Sequence, residues 1–194
     1  MALVKLPLLG LLFMIAVNAA PAGADDTLIL VAKRQVRDQL YGSTIIVVKP
    51  LSEDRHVGFI INKPTQLTLG KLFPNHQPSQ KVTDPVYLGG PFNSQVIFAL
   101  VQRADSPGGR SVKLGPDLYL AVDSSVVDRI IESEPQHARF FAGMVLWKPG
   151  ELADEVKRGL WYTIDARTDL VMRNKFEGLW EELVGRSERK ANTI

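Results

Sequence analysis

Short apolar runs, separated by segments that contain glycine or proline, constrain the fold of this chain more than any other feature of its sequence. The run Thr44–Val48 is β-branched throughout and predicts a buried strand. Val57–Ile61 predicts its antiparallel partner across the polar loop 49–56. Further strands are predicted at 28–31, as an edge strand, and at 86–88, 96–101, 118–122, 139–147 and 160–164.

Helical signals are fewer and lie between these runs. Thr68 predicts the N-cap of a short helix that ends at Pro74, and Asp123 or Ser124 predicts the N-cap of a second helix. Leu152–Arg158 has acidic residues early and basic residues late, which favours one or two helical turns. Gly159 follows as the residue that ends this helix.

The last predicted helix carries an apolar stripe. Phe176, Leu179, Trp180 and Leu183 follow helical spacing, and Gly185 is expected to close the helix. The stripe is expected to pack in the core, and Trp147 and Trp180 are expected to be largely buried. Residues 186–194 are polar and predict a flexible tail.

Strands outnumber helices, and many of them pair locally, which favours an α+β fold. No interior linker divides the chain, so residues 25–185 are expected to form one domain around one core.

The first 24 residues have the pattern of a signal peptide. Lys5 precedes an apolar stretch of about 12 residues, shorter than the ~20 that span a bilayer, and Ala22-Gly23-Ala24 is a small-residue cleavage signal. The alternative is a buried N-terminal helix. Cleavage after Ala24 predicts a periplasmic or secreted protein with no transmembrane anchor.

Three motifs punctuate the chain, namely Gly58–Pro64, Gly89–Pro91 and Trp147–Leu152. In this order and spacing they resemble the AlgH/YqgE family of bacterial proteins, over roughly residues 28 to 183. The resemblance implies a mainly antiparallel, bifurcated sheet curled into a pseudo-barrel with helices outside. The family has no established biochemical activity, although the label of transcriptional regulator is attached to it.

The first two motifs have a structural and a functional interpretation. Asn62 and Lys63 precede Pro64, so they either form a corner or contact an anion or a carbonyl group. Gly89 and Gly90 favour a tight turn between strands, or else an anion nest of adjacent amides. The structural interpretation is the preferred one for both.

The third motif carries a strand into a helix. Trp147 is expected to pack at the rim of the turn formed by Pro149, Gly150 and Glu151. The resembled family usually has glutamine at Glu151 and glycine at Leu146. The negative charge of Glu151 is favourable at a helix N-terminus.

All three motifs lie at strand ends, where a rigid sheet positions binding loops. We therefore expect them to converge on one side of the fold, with Lys63 and Glu151 either paired or facing a shared cleft. The residues predicted to bind are Asn62, Lys63, Gly89, Gly90, Trp147, Pro149, Gly150 and Glu151.

Candidates for catalysis are few. The chain has no cysteine, and His56, His76 and His137 lie in separate segments without metal-ligand spacing, so neither a metal nor a cofactor is expected. Asp54 and His56 share one hairpin loop and could form an acid/base couple. No residue is assigned as catalytic.

Three hypotheses follow for function. The first is an exported, non-enzymatic protein that binds a protein or a small ligand. The second is a hydrolase or isomerase that uses loop carboxylates with His56. The third is the transcriptional regulator of the family label; a net charge of +2 gives no basic face, so nucleic acid is not an expected partner.

Export makes a direct prediction. The mature N-terminus of natively produced protein should lie at or within a few residues of Asp25, because a signal peptidase cuts after the small-residue signal. Intact-mass spectrometry checks this. Soluble protein that keeps Met1 or Ala2 would contradict it.

Overall fold

A computed structural model describes residues 26–192 of the 194-residue chain. The predicted signal peptide, residues 1–24, and the last two residues of the predicted tail lie outside the described residues. The strands are β1 (Leu28–Ala32), β2 (Ile45–Pro50), β3 (His56–Ile60), β4 (Pro64–Thr68), β5 (Pro85–Leu88), β6 (Phe92–Gln102), β7 (Val112–Lys113), β8 (Leu118–Ala121), β9 (Ala138–Trp147) and β10 (Trp161–Asp165). The α-helices are α1 (Leu69–Leu72), α2 (Ser124–Ser133), α3 (Glu151–Lys157), α4 (Thr168–Val171) and α5 (Leu179–Ala191).

The strands form a mainly antiparallel sheet. Its order is β10-β1-β2-β3-β9-β6-β8-β7, with antiparallel pairing throughout, and β4 and β5 branch from this path. The sheet curls into a half-barrel with flanking helices. This confirms the predicted α+β class. The hairpin of β2 and β3 is also confirmed, with Val47 opposite Phe59.

The sheet forks at β9, the central strand. One edge of β9 pairs with β6. The other edge is shared, because Phe141 and Ala142 pair in parallel with β5, whereas Val145–Trp147 pair with β3. A single strand therefore holds three neighbours.

Three glycines make this fork sterically possible. A Cβ atom on Gly89 would lie 2.2 Å from the carbonyl oxygen of Gly143, and one on Gly90 would lie 2.2 Å from the carbonyl carbon of Met144. Gly143 itself has φ +73°, a conformation that favours glycine. Side chains at these positions would collide with backbone that cannot move without unpairing strands.

The predicted tight turn at Gly89–Pro91 is wrong. The strands on either side, β5 and β6, lie on opposite edges of β9, so this segment crosses over β9. The sequence indicated close backbone approach correctly, but the neighbour that is approached comes from more than 50 residues later in the chain.

The apolar interior lies on both faces of the curled sheet. Inside the half-barrel the rings of Phe59, Phe98 and Phe141 pack edge to face, with centroids 5.4 and 5.9 Å apart. Helix α2 covers the outer face beside β6 and β8, and α3 covers the outer face beside β10 and the end of β9. Four apolar residues of α2 are buried, namely Val126, Val127, Ile130 and Ile131.

Two further expectations need correction. Strand β1 is not an edge strand, because β10 and β2 pair with its two edges. Helix α5 starts at Leu179 after Gly178 (φ 72°), and it runs through Gly185 to Ala191, so residues 186–191 are helical. An Arg186–Glu182 ion pair of 2.7 Å, one turn apart, supports the helix beyond the point where the glycine was expected to end it.

The capping expectations are confirmed in part. The side chain of Thr68 accepts a hydrogen bond from the amide of Lys71 and caps α1. Asp123 occupies the N-cap position of α2, but its carboxylate binds Arg110 instead of the helix amides.

The fork predicts an asymmetry between two Gly→Ala substitutions. Gly90→Ala should lower the free energy of unfolding by about 3 kcal/mol or more, since overpacking against backbone has no flexible neighbour to displace. Gly115→Ala is the matched control, because its Cβ would meet atoms no closer than 3.7 Å. Urea unfolding monitored by circular dichroism measures both, and equal losses would contradict the role given to the fork.

Candidate functional site

The third motif forms a turn that is locked to a distant loop. The amide of Glu151 donates to the carbonyl of Lys148 (3.1 Å), with Pro149 second and Gly150 third at φ 80° and ψ −20°, which is a type II turn. The amide of Gly150 donates to the carboxylate of Asp54, 2.9 Å away. This bond fixes the start of α3 against the loop between β2 and β3.

Glu151 closes the turn with its side chain. Its Oε2 accepts a hydrogen bond of 2.8 Å from the amide of Lys148. A glutamine oxygen at this position could accept the same bond, so the difference from the usual family residue preserves the contact.

A single carboxylate holds the two indoles behind this turn. Oε2 of Glu155 accepts hydrogen bonds from Nε1 of Trp147 (3.0 Å) and from Nε1 of Trp161 (2.8 Å). Both indoles are 5% exposed, and the Trp147 ring packs on Gly58, where a Cβ atom would lie 2.8 Å from it. Glu155 thereby ties α3 to the ends of β9 and β10.

Tyr41 extends this group. Its ring packs edge-on against Trp161, with a centroid distance of 6.4 Å. Burial raises the pKa of the Tyr41 phenol, and the negative charges of Glu155 and Asp38 raise it further. The phenol is therefore neutral at physiological pH, and its hydroxyl has no hydrogen-bond partner within residues 26–192.

These residues line a cleft, which we call the indole cleft, of about 490 Å³. Its apolar walls include Leu51, Phe92 and Leu146, three of the eight large apolar side chains that are exposed in the described part of the chain. Its polar lining is formed by Tyr41, Arg55, His56, Lys148, Glu151 and Glu155.

The charges of the indole cleft are unequally satisfied. The carboxylates of Glu151 and Glu155 already accept hydrogen bonds from within the fold. The ammonium group of Lys148 has no partner among residues 26–192. Arg55 donates to Ser52 and lies 3.4 Å from the carboxylate of the exposed Glu53. The cleft therefore offers one unpaired ammonium group, that of Lys148, in a lining whose two cationic and two anionic side chains balance in formal charge.

The Asp54–His56 couple considered from the sequence is not formed. Asp54 accepts from Gly150, and Nδ1 of His56 is buried without a hydrogen-bond partner in the described structure. Within residues 26–192 there is also no group of three or more acidic or histidine side chains placed to hold a metal ion.

Asn62 and Lys63 lie at the other end of β3 and bind the backbone of an earlier loop. Asn62 accepts from the amide of Ile45 (2.9 Å) and donates to the carbonyl of Ser43 (2.8 Å). Nζ of Lys63 donates to the carbonyls of Gln39 and Leu40, at 3.0 and 2.6 Å. These bonds support the structural interpretation of this motif.

The ionisation of Lys63 reflects its surroundings. Burial lowers the pKa of its ammonium group, and the negative charge of Asp38 opposes this shift.

The backbone of Gly89 is already hydrogen-bonded within the fold. Its amide donates to the carbonyl of Ala142, and its carbonyl accepts from the amide of Ile60. The amide of Gly89 is therefore not available to an anion nest.

The structure does not bring the eight predicted binding residues to one site. His56 pairs with Trp147 at the start of β3, and Asn62 lies six residues further on, about 20 Å away at ~3.3 Å per residue. Lys63 and Glu151 bond to separate loops and do not pair. Of the eight, Trp147 and Glu151 line the indole cleft.

Sequence reasoning did not select several residues of the cleft. Tyr41 lies in an irregular loop, and Glu155 and Trp161 carry no local pattern that links them to Trp147. Phe92 gave the clearest available signal, because it is a large aromatic residue directly after Pro91. In the structure it is 49% exposed at the start of β6. Their proximity depends on the pairing of distant strands.

The chain matches the sequence model of a known protein family. The family model described as AlgH-like matches residues 29–192. A UPF0301 protein of Chlorobaculum tepidum is 26% identical over 159 residues, covering 80% of this chain and 83% of its own. A UPF0301 protein of Bacteroides fragilis is 26% identical over 168 residues, covering 85% and 84%.

Solved structures share the fold. The solution structure of the AlgH protein from Pseudomonas aeruginosa superposes with a TM-score of 0.69 at 21% identity, over 87% of this chain and 90% of that one. The crystal structure of protein DIP2367 from Corynebacterium diphtheriae has a TM-score of 0.67 at 22% identity, over 86% of this chain and 87% of that one.

In residues 26–192 no helix combines the length and apolar character needed to cross a bilayer.

The shared carboxylate predicts a graded response to substitution. Glu155→Ala leaves two indole N–H groups without an acceptor and should lower the free energy of unfolding by about 2–4 kcal/mol. Glu155→Gln keeps an acceptor oxygen and should cost less than about 1 kcal/mol. Urea unfolding checks this, with the exposed neighbour Asp154→Ala as control, and a Glu155→Ala loss no larger than that of the control would contradict it.

Proposed function

This chain belongs to the AlgH-like family, and on that premise we propose that it is an exported binding protein whose indole cleft holds a small organic anion with an apolar body. The observation that carries the proposal is the combination of exposed apolar walls with the unpaired ammonium group of Lys148 in one concave surface. A volume of about 490 Å³ lies in the range of small-molecule sites, ~300–1,000 Å³.

The apolar part of the ligand is inferred from the walls. Leu51, Phe92 and Leu146 face solvent around the cleft, although large apolar side chains gain free energy when they leave water. A ligand with an aliphatic or aromatic body would cover them. The rigid floor formed by Trp147 and Trp161 is held by Glu155 and needs no rearrangement to receive it.

The charge of the ligand is inferred from the donors. One oxygen of Glu151 and one of Glu155 accept hydrogen bonds from N–H groups of the fold, which hold both carboxylates in place and leave their negative charge unchanged. Lys148, Arg55 and the neutral phenol of Tyr41 can donate to a carboxylate. A cationic ligand of the same size would leave the ammonium group of Lys148 without a partner.

The exported location is inferred from the sequence of residues 5–24. The described fold is compatible with processing there, because β1 begins at Leu28, after the expected cleavage at Ala24. A mature chain from Asp25 would retain every strand and helix named above.

Binding is preferred to catalysis for one specific reason. The enzymatic hypothesis uses loop carboxylates with His56, and the carboxylate of Asp54, considered as the partner of His56, is bonded to the amide of Gly150. No observation favours a reaction over simple binding at this cleft.

A chain-length-matched ligand series tests the proposal. Decanoate, 1-decanol and decylamine share one apolar body and differ in charge, so decanoate should bind most tightly and decylamine least. Calorimetric titration below the critical micelle concentration gives each Kd, and tryptophan fluorescence reports the cleft. Equal affinities for the three ligands would overturn the proposed anion selectivity.

Two variants assign the binding to the cleft. Phe92→Ala should weaken decanoate about tenfold, because ~1.4 kcal/mol of apolar contact is lost. Leu67→Ala is the matched control. It removes a similarly exposed side chain (44%) from β4, away from the cleft, and should leave the Kd for decanoate unchanged. Lys148→Met should weaken decanoate but not 1-decanol, with Lys157→Met as the matched control. Unchanged decanoate affinity in Phe92→Ala would place binding elsewhere.

A further inference from the structure

Strand β6 extends beyond the strand that pairs with it on one side. Its ladder with β8 covers only Ala99–Gln102, whereas β6 itself begins at Phe92. On its other side, β6 pairs with β9 at Phe92 and again from Ile97. Within the described part of the chain, residues 92–98 therefore have no strand partner on the β8 side.

A groove runs beside this open edge, and we call it the edge groove. It has a volume of about 720 Å³. Its apolar floor includes Ile97 of β6 with Val127 and Ile131 of α2. Phe73 and Val96, two more of the exposed large apolar side chains, lie along it. Apolar surface and unpaired strand backbone thus occur together.

The wall formed by α2 contributes negative charge. Asp123 is neutralised by Arg110, which donates to it from the backbone amide and from the guanidinium group at 2.8–3.1 Å. Asp128, also on this wall, is exposed and has no partner within residues 26–192. The carboxylate of Glu132, one turn further, lies 3.9 Å from Nε2 of His76.

We propose that the open edge of β6 binds an extended segment of a partner protein by strand addition. The segment carries apolar residues at alternate positions and a lysine or arginine that faces Asp128. An extended backbone fits this edge, since the regularly spaced donors and acceptors of one strand are matched in sequence by those of a second strand. Its side-chain period of two places every second residue over the edge groove.

The charge of α2 selects among such segments. A basic residue opposite Asp128 gains an ion pair, whereas an acidic residue there meets Asp128 and Glu132. The edge groove shares no lining residue with the indole cleft and takes a different class of ligand, so either proposal can fail without the other.

Three blocked octapeptides test strand addition. In the first, valine alternates with threonine and lysine; in the second, glutamate replaces lysine; the third is the lysine peptide N-methylated at its central residues. Fluorescence anisotropy should give binding of the lysine peptide, and a loss of about tenfold or more for the methylated one, which keeps the side chains but lacks backbone donors. Equal binding of the methylated peptide would overturn the proposal.

Variants and hydrogen exchange locate the contact. Asp128→Asn should weaken the lysine peptide by about two- to fivefold, the range of an exposed ion pair, and Asp105→Asn is the matched control in an exposed loop. Backbone amides within 93–98 should become protected on peptide binding. Unchanged exchange there, or equal affinity for the glutamate peptide, would refute the proposed surface.

A second copy of the chain is the competing occupant of this edge. Sedimentation equilibrium should give a monomer, with the edge amides in exchange before peptide is added. A dimer whose amides at 93–98 are already protected would replace the proposed partner with self-association.

Discussion

The close backbone approach at the fork of β9 is the constraint on which the rest of the structure depends. Gly89, Gly90 and Gly143 have no Cβ, so the chain leaving β5 can pass directly over β9. Gly89 bonds to Ala142 of β9 through its amide and to Ile60 of β3 through its carbonyl. The fork thereby sets where β3 and β9 continue together and where β6 begins.

Both proposed surfaces are consequences of that geometry. Past the fork, β9 runs on beside β3 and brings Trp147 to α3, where Glu155 fixes it together with Trp161. On the opposite edge, β6 starts at Phe92, well before β8 can pair with it. The indole cleft and the edge groove therefore flank one segment, the first half of β6.

Local sequence patterns predicted most elements but not their neighbours. The β-branched run at 44–48 and the polar loop after it were sufficient for the β2–β3 hairpin, because both partners are close in the chain. The parallel pairing of β5 with β9 joins residues 54 positions apart, and no local pattern encodes it. For the same reason the sequence predicted Leu28–Val31 as an edge strand, since its partner β10 lies more than 130 residues later in the chain.

The amino-acid sequence by itself determined the fold class, the family and most of the strands and helices of this protein. These depend on side-chain period, β-branching, capping residues and glycine, all of which act over a few neighbouring positions. The tertiary structure alone decided that Asn62 and Lys63 bind backbone within the fold, and that Tyr41, Phe92 and Trp161 join Trp147 in one cleft. Surfaces of that kind arise where distant strands meet, and the pairing of distant strands depends on the packing of the whole chain.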